Sequence, residues 1–147
     1  MTKQEAREYI ESYLENLINE LQIELEDKVK ASVMQCSDVN DMDSHSQQFQ
    51  TVKDEQKVED RLNRFIKKQK FFQNISTVPT DIVQEGSLIE IKDFYIYVGV
   101  VTLAISTKEK TIVGISTAAP MYKELANQKV GFKFKFNGID CWIESIQ

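Results

Sequence analysis

The chain has 147 residues, enough for one ordinary domain or two small ones, and its 41% hydrophobic content argues against intrinsic disorder. Lys and Arg number 18 against 23 Asp and Glu, a net charge of −5. Autonomous binding to duplex DNA draws its affinity from neutralised phosphates, so the balance disfavours it. All five Gly and both Pro lie after residue 78, which predicts two differently built halves.

Acidic side chains sit at Glu5 and Glu8, where a signal peptide needs an apolar run. The longest charge-free stretch, Phe94 to Thr107, covers 14 residues, short of the roughly 20 that span a bilayer. Cys36 and Cys141 lack the spacing of a metal site or a redox pair. A reduced, cytoplasmic protein with no membrane partner is expected.

From Lys3 to about Met34, apolar residues recur at Ile10, Leu14, Leu17, Leu21, Leu25 and Val29, a helical stripe. A second stripe runs through Phe49, Val52, Val58, Leu62, Phe65 and Phe72. Neither helix hides its stripe alone, so the pattern predicts an antiparallel coiled-coil hairpin over residues 1–75, about 45 Å long. Its polar tip falls at about 37–46. There Asp38, Asp41 and Asp43 bring three carboxylates together. Two readings stand: a solvated turn of helix-capping residues, or a set of hard oxygen ligands. An EF-hand is a poor match, because the loop has neither the central Gly nor the closing Glu.

On the second helix Lys53, Lys57, Arg61, Arg64 and Lys68 form a basic stripe at spacings of three and four. It either follows a nucleic-acid backbone or pairs with the acidic first helix. For a hairpin folded near residue 42, facing positions set Lys57 near Asp27, Arg64 near Glu20 and Lys68 near Glu15.

Residues 76–86, with Pro79, read as a linker before a domain over 87–147. Ser87 to Ile91, Phe94 to Ile105 and Thr111 to Ser116 are rich in β-branched and aromatic residues and read as strands. Ala118 to Asn127, opened by Thr117, reads as a short helix. Val130 to Phe136 and Ile139 to Ile146 flank Asn137-Gly138, the signature of a tight hairpin. Counting from the turn pairs Phe136 with Ile139, Phe134 with Cys141 and Phe132 with Ile143 on one face. Lys135 with Asp140 and Lys133 with Trp142 take the other. Cys141 then faces the core, and Trp142 serves either as a partner contact or in a cation–π pair.

The order of parts resembles the Gre family of bacterial transcript-cleavage factors (GreA and GreB). Ile115-Ser116-Thr117-Ala118-Ala119-Pro120 through Leu125, followed by Lys129-Val130-Gly131, resembles the family's C-terminal signature, with Phe132 where the family usually has Asp. Asn40-Asp41-Met42 resembles its tip Gly-Asp-Leu, and Glu55-Gln56 through Leu62 falls at the spacing of its second-helix segment. The resemblance implies an α+β chain: a coiled-coil hairpin, then a small FKBP-like antiparallel β domain with one short helix.

What the family does implies the rest. The β domain would dock on bacterial RNA polymerase and the hairpin would enter its secondary channel. Asp41, with Asp43 as helper, would lend carboxylates to the polymerase's Mg²⁺, so that backtracked RNA is cut near its 3′ end. The chain would be an accessory factor rather than an enzyme, monomeric and without a cofactor of its own. Asp38, Ser44, Lys53, Lys57, Arg61, Arg64 and Trp142 are the expected partner-binding positions. Ser44 stands where the family has its tip Glu and Gln48 where it has a Tyr. A regulator or inhibitor that binds the channel without promoting cleavage is the alternative.

Overall fold

The computed structural model describes residues 1–35 and 44–147, with side chains for 1–34 and 52–147. Helices α1 (Lys3–Gln35) and α2 (Ser44–Asn74) precede strands β1 (Leu88–Glu90), β2 (Phe94–Val98), β3 (Ile105–Ser106) and β4 (Thr111–Ile115). Helix α3 (Pro120–Leu125) and strands β5 (Lys133–Phe136), β6 (Ile139–Trp142) and β7 (Ser145–Ile146) complete the chain. The architecture is α+β. The chain forms two compact units, one of Met1–Tyr13 with Phe71–Gln147 and one of Leu14–Lys70.

In the first unit, five strands form a sheet in the order β3-β4-β2-β1-β7, and β5-β6 form a separate ribbon. The larger sheet is mixed, where an antiparallel one was expected, because β2 and β4 run parallel from Phe94↔Thr111 to Val98↔Ile115. The expected strand Phe94 to Ile105 breaks after Val98 at Gly99, whose φ of 126° few side chains tolerate. The chain then crosses close over β4: the Gly114 amide donates to Thr102 Oγ1 at 2.9 Å, and the Thr102 amide donates to the Gly114 carbonyl at 3.3 Å. A methyl group on Gly114 would stand 2.1 Å from the Val100 carbonyl oxygen. This close crossing converts one predicted strand into two short ones.

Both faces of β2 are covered. Ile96 and Val98 join Val83, Ile89, Ile91, Leu125, Phe134 and Ile143 in one apolar core. The alternate residues Tyr95 and Tyr97 are also buried. Tyr97 meets Phe72 edge-on at 5.4 Å between ring centroids and accepts a hydrogen bond from Arg7 Nη1 at 3.0 Å. A strand buried on both sides reads as a continuous apolar run, which is why Phe94–Val98 shows no alternation.

Residues 76–86 are anchored to this unit at Val83 and Gly86, while most of the rest are exposed. Val83 is fully buried in the core, its amide donates to the Gln128 carbonyl, and its carbonyl accepts from Asn127. Helix α3 is shorter than Ala118 to Asn127 and starts one residue after Ala119, an N-cap without a side-chain hydrogen bond. Pro120 opens it, because a missing amide costs nothing in a first turn. Thr117 therefore lies in the preceding turn.

The β5-β6 ribbon has the predicted register: Lys133↔Trp142, Phe134↔Cys141, Lys135↔Asp140 and Phe136↔Ile139. The Ile143 amide donates to the Phe132 carbonyl at 3.0 Å and extends the ladder. Asn137 and Gly138 have φ of 50° and 80°, the paired positive values of a tight hairpin turn. Phe134 and Phe136 are buried and Cys141 half-buried, whereas Ile139, beside the turn, is 67% exposed.

The second unit is built from Leu14–Lys70. Ile18, Leu21, Val58 and Leu62 form its buried cluster, flanked by Leu25, Phe65 and Ile66. Ser32 Oγ hydrogen-bonds Glu55. The apolar stripe continues beyond this cluster without cover, at Val29, Val33 and Val52. Among the described residues no helix is long and apolar enough to cross a membrane.

Candidate functional site

The expected site has three parts. Asp38, Asp41 and Asp43 fall between α1 and α2, outside the described residues. Ser44 opens α2, but its side chain also lies outside them. The basic stripe and Trp142 are described.

Lys53, Lys57, Arg61 and Arg64 all stand exposed on α2. The same helix turns Val58, Leu62 and Phe65 toward the apolar cluster. At about 100° per residue, these two sets occupy different arcs of one helix. Among the described residues, no ion pair within 4.0 Å joins Lys57 to Asp27 or Arg64 to Glu20. The pairing expected with α1 is absent at those two positions. Exposed lysine and arginine lose little Coulomb energy to water and gain rotamer freedom by staying apart. Lys68 differs from its neighbours: it is half-buried, its ammonium sits 4.8 Å from the centre of the Phe65 ring, and burial lowers its pKa.

Trp142 is 49% exposed on β6 and stands opposite Lys133. No cation–π contact joins the pair among the described residues. The indole instead lines an open groove of about 630 Å³ with Lys133, Lys135, Glu124 and Asp140.

A buried polar centre was not anticipated. Arg7 is 6% exposed. Its guanidinium donates to the carbonyls of Phe72 at 3.2 Å and Ile75 at 3.3 Å and to the Tyr97 hydroxyl at 3.0 Å. It also lies 4.5 Å from the Phe72 ring centre and 3.8 Å from the Glu11 carboxylate. A cation supplied to the last carbonyls of α2 satisfies groups that a helix end leaves unpaired. Burial raises the pKa of the Tyr97 hydroxyl against the opposing pull of Arg7. Arg7 carried no warning in the sequence, because a lone basic residue in a polar first turn looks solvent-facing.

A second network joins β1, β2, β4 and β7. Lys110 Nζ donates to Glu90 Oε1 at 2.8 Å and to the Ile91 carbonyl at 2.9 Å, and Ser145 Oγ donates to Glu90 Oε2 at 2.8 Å. The Lys110 hydrogen bond is the main cause holding the Glu90 carboxyl below its usual range. Tyr95, whose hydroxyl donates to Glu109 at 3.0 Å, is pushed up to about 12, first by burial and then by that carboxylate. The Met1 ammonium bonds Glu109 at 2.9 Å, so each of these two carboxylates has a cationic partner. Among the described residues no cluster of three His, Cys, Asp or Glu side chains is arranged to hold a metal.

No family model matches the chain. No curated protein matches it either. Among solved structures, that of the transcription factor Gfh1 aligns over 92% of each chain at 16% identity, with a TM-score of 0.37.

Proposed function

We propose that this chain is an accessory factor of bacterial transcription elongation, which reaches into RNA polymerase and lends carboxylates to its Mg²⁺ site. One observation carries the reading: three aspartates, Asp38, Asp41 and Asp43, occupy the short segment between helices of 33 and 31 residues, ahead of a mixed-sheet domain bearing the Ile115–Gly131 signature. Two long helices without Gly or Pro suit an antiparallel coiled coil. Mg²⁺ takes hard oxygen ligands and retains waters, so a carboxylate brought from outside completes a two-metal site. Asp41 would act as ligand and Asp43 as helper. The exposed Lys57, Arg61 and Arg64 of α2 would lie along the backbone of the displaced RNA, and Trp142 would take part in the docking contact.

The test is a backtracked elongation complex of the cognate polymerase with Mg²⁺. Adding the protein should shorten the RNA from its 3′ end, and Asp41→Asn should abolish the shortening. Absence of shortening together with absence of polymerase binding would defeat the proposal.

Ser44, at the position of the family's tip Glu, favours a second reading in which the factor occupies the channel without promoting cleavage. Suppression of transcript synthesis that survives Asp41→Asn distinguishes that regulator from a cleavage factor.

A further inference from the structure

A cavity of about 380 Å³ opens beside the start of α1, lined in part by Thr2, Lys3, Arg7, Thr77 and Asp81. Two of these residues are buried cations, Lys3 at 7% and Arg7 at 6% exposure. Lysine and arginine are almost never buried to this degree unless they are paired. Arg7 has its carbonyl and hydroxyl acceptors and the nearby Glu11, but Lys3 has much less. Its ammonium donates one hydrogen bond, to the Val78 carbonyl at 2.8 Å, which leaves two of its three protons without a protein acceptor among the described residues. Asp81 lines the same cavity, yet no ion pair within 4.0 Å joins it to Lys3 or Arg7 among those residues. Two like charges therefore line one cavity, and Lys3 has no ion pair within 4.0 Å among the described residues.

We infer that this cavity binds a phosphate group, with the Lys3 ammonium as its principal donor and the Arg7 charge behind it. A tetrahedral anion offers several acceptors to the unused Lys3 protons and cancels the repulsion between the two cations. Thr77 also lines the cavity, and its side chain carries a neutral donor. Burial, and secondarily the Arg7 cation, lower the Lys3 pKa in the unliganded protein; a bound anion reverses the second of these effects. The inference does not rest on the transcriptional reading, and it concerns the unit that contains the sheet.

Titration of the full chain by calorimetry, with sodium phosphate in one arm and adenosine monophosphate in the other, tests it at ionic strength held constant with NaCl. Phosphate should bind with one-to-one stoichiometry and raise Tm by about 4 °C at tenfold excess over Kd. Equal affinity in the two arms assigns the site to the free ion, and tighter monophosphate binding assigns it to a nucleotide. Lys3→Gln should weaken binding roughly tenfold, as expected for the loss of a charge-assisted hydrogen bond. Lys3→Arg should retain it, and Asp81→Asn should tighten it by removing a like charge. If Lys3→Gln proves unstable, the Asp81→Asn arm still decides. Absence of binding in both arms, or affinities unmoved in Lys3→Gln and Asp81→Asn alike, overturns the inference.

Discussion

The unit containing the sheet and the unit of Leu14–Lys70 are stabilised in different ways. In the first, helical segments are held by polar bonds as well as packing: Arg7 joins the carbonyls of Phe72 and Ile75 to Tyr97, over a core that includes fully buried Ile10, Phe72, Ile89 and Ile96. In the second, the main cluster comprises Ile18, Leu21, Val58 and Leu62, and the same sequence pattern leaves Val29 at 45%, Val52 at 58% and Val33 at 67% exposure. Periodicity marks which face of a helix is apolar; burial also needs a partner deep enough to cover it. The second unit should therefore open locally at lower free energy than the first.

Five substitutions, the last read against pH, sharpen that contrast. The largest effect is expected from Arg7→Leu, which strands buried acceptors at Phe72, Ile75 and Tyr97; unfolding in urea should report a loss of about 3–4 kcal/mol. Tyr97→Phe removes only one of those bonds and should cost about 1 kcal/mol. A result for Arg7→Leu no larger than that for Tyr97→Phe would contradict the role given to the buried centre.

Gly114→Ala should cost about 2–3 kcal/mol, because its new methyl group would lie 2.1 Å from a backbone oxygen of the crossing segment. Retention of full stability would mean that the 99–102 segment moves aside freely. Leu62→Ala removes part of the small cluster in Leu14–Lys70 and should cost about 2 kcal/mol, the lower end for such changes. Its signature lies in hydrogen exchange: amides within Leu14–Lys70 should exchange faster while those of β1, β2 and β4 keep their protection. Uniform acceleration through both units would remove the distinction between them.

The smallest effect is a pH dependence from Glu90. Its folded pKa lies below the unfolded one, which is near 4.3 for a glutamate. Its contribution is therefore fully present above that unfolded value and is lost as pH falls through the lowered folded pKa. Partial exposure of both partners limits it to about 0.5 kcal/mol. Lys110→Gln should flatten the acid limb of the stability profile by that amount, and an unchanged limb would assign acid sensitivity elsewhere.

Local features were legible where a short stretch of residues settles its own geometry. Asn137-Gly138 fixed a turn, and alternation of Phe134 and Phe136 with Lys133 and Lys135 fixed the register of β5 against β6. The basic stripe of α2 was legible as spacing, but that Lys57 does not pair with Asp27, nor Arg64 with Glu20, was not, since facing positions depend on how two helices are staggered. The acidic candidates Asp38, Asp41 and Asp43 rest on sequence, and Trp142 was legible as an outward position but not as the wall of a groove.

The sequence by itself determined the kinds of element and their order: two long helices free of Gly and Pro, then strands, a short helix with Pro120 in its first turn and a tight hairpin at Asn137-Gly138. These follow from backbone freedom and side-chain periodicity, which act over a few residues. Only the tertiary structure decided that β2 and β4 pair in parallel, that the chain breaks at Gly99 to cross Gly114, and that Arg7 and Lys3 are buried. Each of those outcomes depends on segments distant in sequence meeting in space. A charged side chain stays in water unless such a meeting supplies its hydrogen-bond partners.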